Sequence, residues 1–128
     1  MAYKYGKRSI GRLSTCHPKL QEIFQEAIEH MDITILEGHR TVEKQQEYFR
    51  KGMSRCDGIE KLSNHQYTPA RAIDAAPYPV NWNDIDGFKK YGALIKKIAA
   101  DKGIDIIWGG EFKGFFDGPH IELHKDEK

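Results

Sequence analysis

Ala70-Arg71-Ala72-Ile73-Asp74-Ala75-Ala76, closed by Pro77-Tyr78-Pro79, decides how this chain is built. Small and β-branched residues in this order read as a strand, and the prolines, which cannot donate to a ladder, end it. Side chains alternate along a strand, so Ala72, Asp74 and Ala76 share one face while Ile73 and Ala75 point to the other. The second face is apolar, and the first carries a lone carboxylate among alanines. Such a group costs free energy unless a cation or hydrogen-bond donors meet it.

The closing stretch Asp117-Gly118-Pro119-His120-Ile121-Glu122-Leu123 has the same two-faced character. A strand over residues 119–123 puts His120 and Glu122 together and turns Ile121 and Leu123 into the core. Two further strands are expected, at residues 33–37, ending at Gly38, and at residues 104–108, followed by the Gly109-Gly110 turn. Three helices accompany them. The first is expected from Ser14 or Thr15, as caps, through Pro18 to about Met31, with Leu20, Ile23, Phe24, Ala27, Ile28 and Met31 as its apolar stripe. Thr41 caps the second, residues 42–51, which Gly52 stops, and Asn83-Asp84 caps the third, residues 85–102, which Gly103 ends. Residues 52–67 lack periodicity and form a loop that delivers His65. The expected fold is α+β: a small antiparallel sheet with helices packed on one face and the site on the other.

At 128 residues the chain fits a single domain, residues 1–128. Its 20 lysines and arginines against 19 aspartates and glutamates give no pull toward nucleic acid, and no nucleic-acid partner is expected. No apolar run approaches the roughly 20 residues of a bilayer span, so stable membrane insertion is not expected. Met1-Ala2-Tyr3-Lys4-Tyr5-Gly6-Lys7-Arg8 leads into no apolar signal core, which fits synthesis in the cytoplasm. A monomer is expected. Cys16 and Cys56 form no CxxC pattern and read as free thiols without a catalytic part.

Two histidines and an aspartate suit a hydrolytic zinc, which takes three protein ligands and keeps a fourth position for water. His65, Asp74 and His120 are the candidate ligands, because adjacent antiparallel strands can bring Asp74 and His120 together and the loop can supply His65. Asp117 is either the general base, folded back by Gly118-Pro119, or part of an ordinary Asp-Gly turn before a strand. Arg40, between a strand end and a helix start, can hold a carboxylate or an oxyanion, or can be a surface residue. Gln45 can face the same cleft, although a solvated helix position suits it as well. Ser63 can bond near the metal or turn the loop, Trp108 can fill the core with one edge at the site, and Trp82 can line a groove or the core. Glu122 can orient a ligand or form an ion pair. His17, His30, His39 and His124 have no partner pattern.

Gly38-His39-Arg40-Thr41 with Gln45, Ser63-Asn64-His65, Ala72-Ile73-Asp74-Ala75-Ala76-Pro77-Tyr78, Trp108-Gly109-Gly110 and the closing Asp117 to Leu123 stretch together resemble one family. It is that of the zinc peptidases that include D-alanyl-D-alanine carboxypeptidases and dipeptidases and the phage L-alanyl-D-glutamate endopeptidases, which share a fold with the Hedgehog signalling domain. Gly6 to Gln21 is similar to the amino-terminal segment of the endopeptidases. The resemblance implies zinc bound by His65, Asp74 and His120, a general base at Asp117, and substrate or transition-state contacts from Arg40. It implies hydrolysis of bacterial peptidoglycan by an endolysin or virion-associated enzyme, with L-alanyl-D-glutamate as the bond. The alternatives are a D-Ala-D-Ala carboxypeptidase and a non-catalytic cell-wall-binding module. The spacer from Gln66 to Ile73 is longer than in the family pattern, and an aspartate base where the dipeptidases use glutamate points to the endopeptidase branch.

Overall fold

The computed structural model describes residues 3–52, 58, 63–114 and 116–128, and Cys56 lies outside them. In chain order the elements are α1 (Lys7–Leu13), α2 (Pro18–Ala27), β1 (Ile33–Glu37), α3 (Val42–Arg50), a 3-10 turn (Asn64–Gln66), β2 (Ala72–Pro77), α4 (Ile85–Lys102), β3 (Ile106–Trp108), a second 3-10 turn (Gly109–Glu111) and β4 (His120–Leu123). The strands form one sheet in the order β1-β2-β4-β3, and every pairing is antiparallel.

Register turns this sheet into a site. Glu37 lies opposite Asp74, and Asp74 lies opposite His120, so three strands contribute one polar row to one face. A bulge between Ile35 and Glu37 brings the glutamate into that row. On the reverse face Ile35, Ile73, Ala75, Ile121 and Leu123 are buried with Leu20, Ile23 and Phe24 of α2 and Tyr91, Ile95 and Ile98 of α4. Removing this apolar area from water drives the fold.

The α+β architecture and the long α4 are as expected, with Asp84 accepting from the Gly87 amide at the start and Gly103 in the left-handed conformation (φ 69°) at the end. The first helix differs. Ser14 and Thr15 do not cap it; they lie at the end of α1, a helix absent from the periodicity argument, and His17 caps α2 by accepting from the Lys19 amide. Only Ser9 and Leu13 of α1 are buried, so the helix carries too little apolar signal to announce itself. Ser9 Oγ instead accepts from Ile35 N at 2.9 Å, and Arg12 Nη1 donates to Ile35 O at 3.0 Å. Side chains of α1 thereby satisfy the outer edge of β1.

β3 starts at Ile106, two residues later than expected, because the Ile104 amide closes the end of α4 on Ala99 O at 2.9 Å. Trp82 lines neither core nor cleft; it is exposed and stacks on Phe88, with ring centroids 5.9 Å apart. Cys16 is buried where the α1–α2 junction bridges to Ala70. Burial pushes its thiol up to about 12. Among the described residues, no helix is long and apolar enough to cross a membrane.

Candidate metal centre and active site

His65, Asp74 and His120 meet on the polar face, each offering a ligand atom within 4.8 Å of the others. Asp74 Oδ1 is the shared point, 3.4 Å from His65 Nε2 and 3.2 Å from His120 Nδ1. The two imidazoles meet edge to face at 5.3 Å.

Each histidine has one nitrogen occupied by the protein, which leaves the other for the cluster. His65 Nδ1 lies 2.8 Å from Gly38 O, so it carries the proton and Nε2 presents its lone pair. That Nε2 is buried without a hydrogen-bond partner. Buried polar atoms are rarely left unsatisfied, and a cation between these residues would supply what this nitrogen lacks. His120 Nε2 lies 2.7 Å from Glu122 Oε1, and Glu122 Oε2 accepts from Asn64 Nδ2 at 2.9 Å. This carboxylate fixes the ring and leaves Nδ1 turned toward Asp74, the outer-shell support that metal-binding histidines commonly have. The residues therefore fit a divalent cation, and their two nitrogens and one oxygen match a zinc site with room for a further ligand.

The loop that aims His65 is set from three sides. Ser63 Oγ accepts from His65 N at 3.2 Å, and Gln66 Oε1 accepts from Ser63 N at 3.0 Å, a reciprocal cap on the 3-10 turn. Arg40 N donates to His65 O at 2.7 Å. Gly38, whose carbonyl accepts from the imidazole, is packed against the α1–α2 junction. A Cβ there would stand 2.3 Å from Thr15 Oγ1 and 2.4 Å from Arg12 O. Thr15 Oγ1 also accepts from His39 N at 2.9 Å.

Burial opposes charge on Asp74, but the His120 and His65 imidazoles beside it win and hold its carboxyl well below the usual range. Burial likewise disfavours the charged His120, yet its bonds to Asp74 and Glu122 raise it to about 10. Asp117 moves the other way: burial and the negative charge of Asp74 raise its carboxyl. The backbone around Asp117 is pinned. Asp117 N donates to Gly109 O at 3.0 Å, Trp108 Nε1 to Gly118 O at 2.7 Å, and Tyr91 Oη to Pro119 O at 3.0 Å. Trp108 is thus buried and bonds the loop that carries Asp117.

Arg40 is 8% exposed rather than a surface residue. It bonds Glu37 through Nε and Nη2 and Gln45 Oε1 through Nη1 at 2.7 Å, and it lies 3.8 Å from Asp74 Oδ2 and over the Tyr48 ring. Gln45 is fully buried, so the solvated helix position is corrected: an arginine inside needs an acceptor there. Glu37 and Tyr48 escaped the sequence reading, and Gly38 and Asn64 stood within its motifs without a role of their own. For Glu37, its place at the end of a strand three residues before Arg40 was the available signal.

A solved structure of the L-Ala D-Glu endopeptidase ChiX of Serratia marcescens matches with a TM-score of 0.81 and 28% identity, over 94% of this chain and 90% of that one. The vancomycin resistance D,D-pentapeptidase VanY of a VanB-type cassette, solved as a mutant in complex with Zn(II), matches with a TM-score of 0.50 and 18% identity. That match covers 88% of this chain and 70% of VanY, and it is a likeness of fold. The family model described as phage L-alanyl-D-glutamate peptidase matches residues 1–124. With its sheet, its cluster and nearly its whole length accounted for, the chain belongs to the phage L-alanyl-D-glutamate peptidase family.

Proposed function

We propose that this protein is a single-domain, zinc-dependent endopeptidase that cuts the L-alanyl-D-glutamate amide in the stem peptide of bacterial peptidoglycan, in the service of phage-driven lysis or of a virion. The observation that carries the zinc assignment is the partnerless, buried Nε2 of His65 aimed at the carboxylate that His120 shares. The endopeptidase activity of ChiX and the Zn(II) held by VanY agree with it.

When bound by His65, Asp74 and His120, zinc supplies a Lewis acid that polarises a carbonyl and acidifies a water. The remaining work falls to the chain. Asp117, raised by burial and by Asp74, takes a proton from the attacking water on its carboxylate and returns it to the leaving amine nitrogen. Arg40 keeps N–H groups beyond those given to Glu37 and Gln45, and these steady the oxyanion or a substrate carboxylate. Gln45 holds that guanidinium, Ser63 the turn of His65, and Trp108 the loop of Asp117.

Mass spectrometry of fragments released from purified peptidoglycan tests this reading. New L-alanyl carboxyl ends and D-glutamyl amino ends, lost with a chelator and regained with zinc, are expected. Release of terminal D-alanine alone, or the same fragments in chelator, would overturn it.

A further inference from the structure

Beside the metal cluster runs a second concavity, a groove of about 570 Å³ between the exposed side of α1 and the start of α3, floored by the end of β1. Its ionisable lining is Arg8, Arg12, Glu37, His39, Arg40 and Lys44. Glu37, its one carboxylate, is already bound to Arg40. Arg8, Arg12 and Lys44 make no ion pair within 4.0 Å among the described residues, although Lys44 acts on Glu47 along its own helix, so the groove's lining carries more cations than anions in a chain whose formal net charge is only +1. The sign of the local field is set by this imbalance, and it favours an anion.

The groove shares a wall with the site. Arg40 lines it and lies 3.8 Å from Asp74, and Gly38, also in the wall, accepts from His65. Arg40 and Gly38 thus belong to both the groove and the surroundings of the cluster. Which part of the substrate is negative follows from the chemistry of the bond. The sugar acid before L-alanine spends its carboxyl on an amide, whereas D-glutamate and the residue after it bring carboxylates. The carboxylate of D-glutamate stays near the scissile amide, within the domain of Arg40. Arg8 and Lys44 line the groove and, unlike Arg40, make no ion pair with Asp74.

Resting on the peptidase reading above, we infer that this groove is a subsite for a carboxylate on the residue that follows D-glutamate, so that the enzyme favours stems with a diamino dicarboxylic acid there over stems with lysine. Arg12 also holds Ile35 O and serves the fold, but Arg8 and Lys44 are exposed and can be changed without unlinking an element.

The test is calorimetric titration of the zinc-loaded protein with two dipeptides that differ by one carboxylate, γ-D-glutamyl-meso-diaminopimelate and γ-D-glutamyl-L-lysine. The wild type should bind the first about fivefold more tightly at low salt, the scale of a partly exposed charge contact. That gap should shrink as salt is added and close in the Arg8→Gln/Lys44→Gln variant, whose fold is checked by its unfolding midpoint. Equal affinities in the wild type, including no measurable binding of either, would overturn the inference, as would a gap that survives in the variant. Cleavage of L-alanyl-γ-D-glutamyl-L-lysine judges the peptidase reading separately, so either can fail without the other.

Discussion

The two faces of the sheet are built on opposite rules. On the face toward α2 and α4, Ile73, Ala75, Ile121 and Leu123 are held by what surrounds them, and each is interchangeable in kind if volume is kept. On the other face polar side chains are held by specific partners: Asp74 lies between two imidazoles, His120 is held by Glu122, and Arg40 by Glu37 and Gln45. Ile121 and its neighbour His120 sit one residue apart on β4 and obey these different rules. Stability should therefore reside on one face and chemistry on the other, and substitutions can separate them.

The sharpest separation is Asp117→Asn. Turnover of a stem-peptide substrate should fall by about a hundredfold to ten-thousandfold, the usual range for a lost general base, while zinc binding and the unfolding midpoint hold. A variant that lost zinc as well would place Asp117 among the ligands and blur the comparison.

Ile121→Ala probes the reverse side. Deleting this fully buried side chain should cost about 2–5 kcal/mol in urea unfolding, with zinc affinity of the folded fraction retained. Loss of zinc from the folded fraction would show that the faces are mechanically coupled through β4.

Between these lie the side chains and backbone that aim the ligands. Glu122→Gln and Gly38→Ala should each weaken zinc binding by roughly ten- to a hundredfold in competition with a chelator. Glu122→Gln should leave stability nearly unchanged. Gly38→Ala must also push Thr15 aside, and it should lower both quantities.

Smallest is a pH effect confined to the core side. The Cys16 thiol is raised to about 12 in the fold, so the unfolded chain releases this proton first. With fewer protons bound when unfolded, stability falls as pH rises, beginning near the ordinary thiol value of about 8.5. Unfolding free energy should drop by about 1 kcal/mol by pH 9, a drop that Cys16→Ala removes. Equal slopes for both proteins would show that the thiol ionises freely in the fold.

What was legible in the sequence follows the same division. The alternation of Asp74 with Ile73 and of His120 with Ile121 announced both faces at once, because a strand shows its two environments every second residue. The stripe of α2 was equally plain. By contrast α1 is fastened through Ser9 and Arg12 to backbone groups of β1, and polar anchors leave no period to read. Gln45 looked solvated because glutamine usually is; only the guanidinium beside it, brought by the fold, makes its burial favourable. The longer spacer before Asp74 did not displace His65, since the cap at Ser63 and the bond to Gly38 fix the ring at the near end of that loop.

The anchoring of α1 has a consequence for the protein as a material. A four-strand sheet has two margins, and here one is only three residues long while the other has its Ile35 hydrogen-bonding groups taken by a serine and an arginine. Neither margin offers a ready template on which another copy's ribbon can zip. A peptidase of this build is thereby protected from fibre-like self-association, and trimming the first helix should remove that protection without touching His65, Asp74 or His120.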